Sequence, residues 1–161
     1  MSDNPLKTAI LDWLPALDFG VMSHGFAPHG RDYVLIVEVG RSGTHELVLT
    51  HVVETRYETR VRDDVWPRSW DDALTDYSAW EAAGAPDGYV WGSNWSLANP
   101  GLFVAEDDPA AARWSERIGR PMFAMSVETD RFKLSLIFHG VRHRKLSDEA
   151  PVVGEVLFPL D

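Results

Sequence analysis

Cysteine is absent from all 161 residues, which excludes a disulfide framework, a thiolate metal centre and a cysteine nucleophile. No apolar run approaches the ~20 residues that a membrane-spanning helix needs. The opening residues, MSDNPLKTAILDWL, lack the basic start and long apolar centre of a secretory signal. These absences lead us to expect a cytoplasmic protein that stays out of the membrane. Short catalytic signatures are missing too: there is no GxSxG elbow, Walker loop, GxGxxG or HExxH. The sequence therefore points to no catalytic residue and to no cofactor.

Positive charge is scarce in one region. The formal net charge is −10, yet from Asp63 to Ala112 ten acids face a single base, Arg68, so this segment carries −9 and the rest is nearly neutral. The same segment holds five of the seven tryptophans: Trp66, Trp70, Trp80, Trp91 and Trp95. Nucleic acid needs a basic footprint, so it is a poor partner for this chain, whereas a basic protein is a good one.

What remains reads as one domain over residues 1–161, of ordinary globular composition with 45% hydrophobic and 25% charged residues. DNPLKTAILDWLPAL predicts an N-terminal helix over 4–16, with Leu6, Ile10, Trp13, Leu14 and Leu17 on one stripe and Pro15 ending it. FGVMSHGFAPHG reads as a loop or a short edge strand. Residues 32–62 then predict a hairpin that turns at RSG, with a second strand that is long or bent at a bulge. RSWDDALTDYSAWEAAG predicts a helix over 69–83, capped by Ser69 and stopped by Gly84. The Trp/Gly/Asn stretch 88–101, GYVWGSNWSLANPG, reads as a rigid loop. A third helix over 108–118 starts at Pro109 and ends at Gly119. A second hairpin over 122–146 turns near Thr129-Asp130-Arg131, and GEVLFP forms a short final strand. The expected fold class is α+β, an antiparallel sheet of two hairpins packed with two to three helices.

ELVLTHVVETRYE and KLSLIFHGVRHRK echo one another: each has a charged residue, Leu-x-Leu, a histidine and then basic residues. A duplicated hairpin would leave this trace. So would any two amphipathic strands.

Three groups of residues offer chemistry. Asp72 and Asp76 stand at i and i+4 on the second helix, close enough to share a divalent ion, although Asp71 and Asp72 equally serve a helix N-terminus. His24, His29, His51, His139 and His143 would make a zinc hydrolase if three of them converged, but none has ligand spacing along a helix. Trp91 and Trp95, with Asn94 between them, combine stacking rings and an amide, which suits a sugar or another small ligand as well as a protein hot spot. Trp13, Trp80 and Trp114 are expected mainly in the core.

HGF, RDY, SWDDALTDYSAW, GYVWGSNWS, PGL and LIFHGVRHRKL together resemble the YxiG-like domain family of bacterial proteins, over roughly residues 20–147. Some members resemble genes found near contact-dependent toxin clusters. The resemblance thus implies an immunity-type role and carries over no catalytic residue. The expectation is a non-enzymatic, protein-binding module. Asp71, Asp72 and Asp76 would steer a basic partner, and Trp66, Trp91 and Trp95 would anchor it, with Asn94 beside them. The alternative is a small-molecule or carbohydrate-binding module at Trp91, Asn94 and Trp95.

Overall fold

The structure is a computed structural model that describes residues 7, 9, 10, 14, 19–64, 77–85 and 96–147. The described residues are mostly β, with two helices among them. Eight strands follow along the chain: β1 (Gly20–Phe26), β2 (Tyr33–Glu38), β3 (Thr44–Thr50), β4 (Glu54–Thr59), β5 (Ser96–Val104), β6 (Phe123–Thr129), β7 (Phe132–Phe138) and β8 (Gly140–Ser147). Helix α1 spans Tyr77–Ala82 and helix α2 spans Pro109–Ile118.

The hydrogen-bonded strand order is β4-β7-β6-β5-β1-β2-β3-β8, antiparallel throughout. Two short joints close it into a ring. β3 runs into β4 through 51–53, and β7 runs into β8 through His139 alone. β3 pairs with β8 while β4 pairs with β7. The two long bent strands therefore lie side by side and complete a barrel-like circuit with β6, β5, β1 and β2. The weakest seam is β1–β5, which is held by two residue pairs, Gly20↔Leu97 and Val21↔Ser96.

The strand order also reads the same from both ends once each strand is exchanged with the one four places along the chain. β1–β4 and β5–β8 are thus two copies of one unit, related by an approximate two-fold. The echo between ELVLTHVVETRYE and KLSLIFHGVRHRK is the sequence trace of this relation, since these are the two bent strands. At the joints His139 N–H donates to the Thr50 carbonyl at 3.0 Å and Val53 N–H to the Ile137 carbonyl at 2.9 Å. Gly140 stands opposite Thr50 there. A Cβ on it would meet Thr50 Oγ1 at 3.0 Å, so an alanine fits only if the threonine side chain gives way by a few tenths of an ångström.

Period-two alternation builds the interior. Leu47 and Leu49 of β3, Met125 and Val127 of β6, and Phe132, Leu134, Leu136 and Phe138 of β7 share one buried cluster with Phe19, Leu35 and Val37. Val34 and Ile36 are buried as well, so β2 is covered on both faces. That accounts for its unbroken YVLIV run. β4, by contrast, is exposed along its whole length.

α2 begins at Asp108, whose Oδ1 accepts from Ala111 N–H at 2.9 Å, and ends at Gly119 in the left-handed region (φ 74°). It lays Ala111 on Met122, Ala124 and Ile137, outside the barrel, with Trp114 half-covered beside them.

The structure differs from the sequence expectations in several places. FGVMSHGFAPHG yields β1, which sits between β2 and β5 and is no edge strand. The 88–101 stretch is not wholly a loop, because β5 begins at Ser96. The Asn99-Pro100 step is absorbed as a bulge between Ala98 and Gly101, where pairing to β6 shifts register. Trp80 and Trp114 are only half-buried, and Trp114 Nε1–H donates to Glu54 at 2.9 Å at the surface. Lys7, Ala9 and Ile10 are helical and Leu14 N–H donates to the Ile10 carbonyl at 3.0 Å, but the other residues of the expected 4–16 helix, residues 69–76 of the expected 69–83 helix and the GEVLFP strand lie outside the described residues.

Candidate functional site

Trp66, Asp71, Asp72, Asp76, Trp91, Asn94 and Trp95 all lie outside the described residues. The histidines are described, and they do not form a cluster. Among the described residues no group of three or more His, Asp or Glu could hold a metal ion. They sort instead into separate small assemblies, which mark out two concave regions.

The first region is a cleft of about 470 Å3 at the strand joints, lined by Arg31, His51, Val52, Val53, Ile118, Arg120, Met122 and His139. Its size falls within the range usual for small-ligand sites. The His51 and His139 rings meet edge to face with centroids 5.9 Å apart. His139 Nδ1–H donates to the Pro121 carbonyl at 2.7 Å, which fixes the tautomer and leaves Nε2 available. His51 is held in the left-handed region (φ 54°), unusual for a residue other than glycine and a form of strain that collects at functional sites.

Asp32 holds that strain in place. It is 1% exposed, and its carboxylate accepts from His51 N–H at 3.0 Å and from Arg31 Nε–H at 3.0 Å, with Arg142 at 3.4 Å and His29 at 3.8 Å. The Arg31 hydrogen bond draws its carboxyl down to about 2 against the opposing effect of burial, with help from the His51 N–H and the charges of Arg31 and His29.

The second region is a polar hollow of about 260 Å3 between β1 and the exposed strand β4. His24, Tyr57 and Phe132 stack there, with His24–Phe132 centroids 4.7 Å apart and His24–Tyr57 centroids 5.8 Å apart. His24 Nδ1 and the Tyr33 hydroxyl share a hydrogen bond of 2.7 Å. Burial lowers the His24 pKa, and burial, reinforced by Tyr57, pushes Tyr33 up to about 12. Ser23 Oγ, also on this wall, is buried without a hydrogen-bond partner. Ser96, the residue that follows Trp95 in the chain, lines the same hollow.

A third pair, His45 and His143, is stacked with centroids 5.0 Å apart and joined Nδ1 to Nε2 at 2.8 Å, with Ser42 Oγ 2.8 Å from the other nitrogen of His45. His45 is buried and was not among the sequence candidates. His143 is held below its ordinary pKa by burial and then by His45. This pair ties β3 to β8.

The sequence reading missed Arg31, Arg120 and the role of Asp32. A signal for the cleft was present all the same, because the echo sets a histidine after each second strand, and those two histidines are the ones that meet.

A model of the YxiG-like protein family matches residues 3–154, almost the entire chain. The chain belongs to the YxiG-like protein family. No curated protein matches it. The match covers both concave regions and both copies of the four-strand unit, so all of these belong to one family unit. No helix among the described residues is long and apolar enough to cross a membrane.

Proposed function

We propose that this YxiG-like protein is a non-enzymatic cytoplasmic binding module that presents an acidic flank to a basic protein, in the manner of an immunity protein neutralising a basic toxin domain. The supporting observation is how charge is partitioned. The bases of the barrel are largely occupied by acids of the barrel: Arg31 and Arg142 with Asp32, Arg144 with Glu46, Arg56 with Glu58, and Arg60 and Lys133 with Glu128. Within the 63–112 segment Asp64 meets Arg62 and Glu106 meets Lys7. In the sequence that segment sets ten acids against Arg68 alone, and this −9 is what supports a field of one sign there. An unbalanced field of this kind speeds encounter with a cation and sets its orientation, and Trp66, Trp91 and Trp95 would supply contact energy.

The test is an affinity capture from the native host with the wild-type chain and with a D71N/D72N/D76N variant. A basic protein held by the wild type, released as salt rises towards 1 M, and lost by the variant is the expected result. Equal recovery of every partner by both proteins overturns the steering role.

One observation favours a second reading, a small-ligand module. Ser23, whose buried hydroxyl has no hydrogen-bond partner, stands in the wall of a hollow lined also by Tyr57, Phe132 and Ser96, the residue after the Trp91-Asn94-Trp95 stretch. Buried hydroxyls are seldom left unpaired, and a ligand hydroxyl is one group that would satisfy this one. The zinc-hydrolase reading draws no such support from the described residues.

A further inference from the structure

We propose that the joint cleft is a binding site for a small organic anion, a phosphate or carboxylate group carried on a compact apolar body. This goes beyond the basic-partner reading and does not rest on it.

The lining has two kinds of wall. Arg31 and Arg120 bring guanidinium donors to the cleft beside the His51 and His139 rings, and no carboxylate among the described residues lines it, although the chain as a whole carries −10. Val52, Val53, Ile118 and Met122 form the remaining surface. Ile118 is 42% exposed there, an apolar group that the protein itself does not cover. Polar groups converging at one end of an apolar hollow are how small-ligand sites fix orientation while burying a body.

The charges of this cleft are also poorly compensated. Asp32 is the neighbouring carboxylate, and it is already shared among Arg31, Arg142, His29 and the His51 N–H. Arg31 engages it through Nε and Nη2, which leaves Nη1 unused in that pair. Arg120, just past the Gly119 cap of α2, makes no ion pair among the described residues. A guanidinium presents a planar fork that matches an oxyanion, and a charge-assisted contact is about twice as strong as a neutral one. The left-handed His51 corner adds a backbone conformation that the sequence retains at a cost, held by Asp32 and by Val52 N–H donating to the Arg31 carbonyl at 2.8 Å.

The full-length chain is titrated with phenyl phosphate, and in parallel with inorganic phosphate and with phenol, while backbone amide resonances are followed by NMR. The expected result is a saturable shift at 51–53, 118–122 and 139 with phenyl phosphate, at clearly lower concentration than with phosphate or phenol. Arg120→Gln weakens it about tenfold, as the loss of one charge-assisted contact predicts. Ile118→Asp, on an exposed position, abolishes it. Arg113→Gln, on α2 but not lining the cleft, leaves it unchanged. Circular dichroism melts show that the variants are folded. Absence of saturation into the high millimolar range overturns the proposal. So does equal affinity of Arg120→Gln and wild type, or equal affinity for phosphate and phenyl phosphate.

Discussion

His51 and His139 occupy equivalent joints of the two bent strands, and their rings meet edge to face 5.9 Å apart on the approximate two-fold of the fold. The joints differ in how they turn. The first places His51 itself in the left-handed region, whereas the second passes through His139 and sets Gly140 against Thr50. A left-handed residue with a Cβ costs roughly 1–2 kcal/mol, and more when the side chain is β-branched. His51→Gly is therefore expected to hold or raise stability by up to about 1 kcal/mol, and His51→Val to lower it by about 2 kcal/mol. Urea midpoints of the two variants, read at equal m-value, check the order. If Val proves as stable as Gly, the strain is not real.

Asp32 couples that corner to the preceding loop and to β8, and its folded pKa of about 2 gives the protein an acid limb. The unfolded carboxyl titrates near 3.8. Between the two values the unfolded chain binds the proton and the folded chain does not, so stability rises with pH there. The contribution is complete above about pH 5 and is lost as pH falls towards 2. Arg31 and Arg142 are exposed, which screens the pairing, so about 1–2 kcal/mol is expected rather than the full value of the shift. Asp32→Asn should remove this difference between pH 6 and pH 3 in urea titrations. An unchanged acid limb in the variant means another carboxylate carries it.

Much of this arrangement was legible in the chain because strands and turns write themselves locally. Leu134, Leu136 and Phe138 alternate onto the interior as period two requires, and Asp130-Arg131 turns because Thr129 Oγ1 accepts from both the Arg131 and the Phe132 N–H. The second strand of the first hairpin, expected to be long or bent at a bulge, is bent at 51–53. What was not legible is what depends on pairing at a distance. β1 reads as a loop because its HGF segment is mixed in character. Its place is fixed by β2 on one side and by two pairs to β5 on the other. Ring closure depends on β3 meeting β8 and β4 meeting β7, residues about 70–100 apart in sequence. The cleft needs Arg31, His51, Arg120 and His139 from four distant segments, and no spacing rule joins them.

Gly140 tests the tightness of the second joint. A methyl group there would press on Thr50 Oγ1 at 3.0 Å, and a β-branched threonine in a paired strand has little room to turn. Gly140→Ala is expected to cost about 1–2 kcal/mol. Thr50→Ala in the same molecule removes the obstructing oxygen and should return a good part of it, a coupling of at least ~0.5 kcal/mol in a double-mutant cycle. Additive losses would mean that the cost does not arise from contact with Thr50 Oγ1.

The His24–Tyr33 pair carries the last expectation, because it joins a buried imidazole to a buried phenol over 2.7 Å. Burial holds the His24 pKa below 6.5, so as pH falls through that value the unfolded chain takes up a proton that the folded chain refuses. Stability attributable to His24 is present above about pH 6.5 and declines on acidification. An NMR titration should find the His24 ring changing state at lower pH than it does in the urea-unfolded chain. Tyr33→Phe leaves the ring nitrogen without its partner in a half-buried stack and should cost about 1 kcal/mol at pH 7.5. It should also remove the phenol that titrates far above the usual tyrosine range, which ultraviolet absorbance reads directly. A His24 ring that titrates at its unfolded value would show that the stack with Tyr57 and Phe132 admits water freely, and the hollow beside Ser23 would then be an open surface and not a binding site.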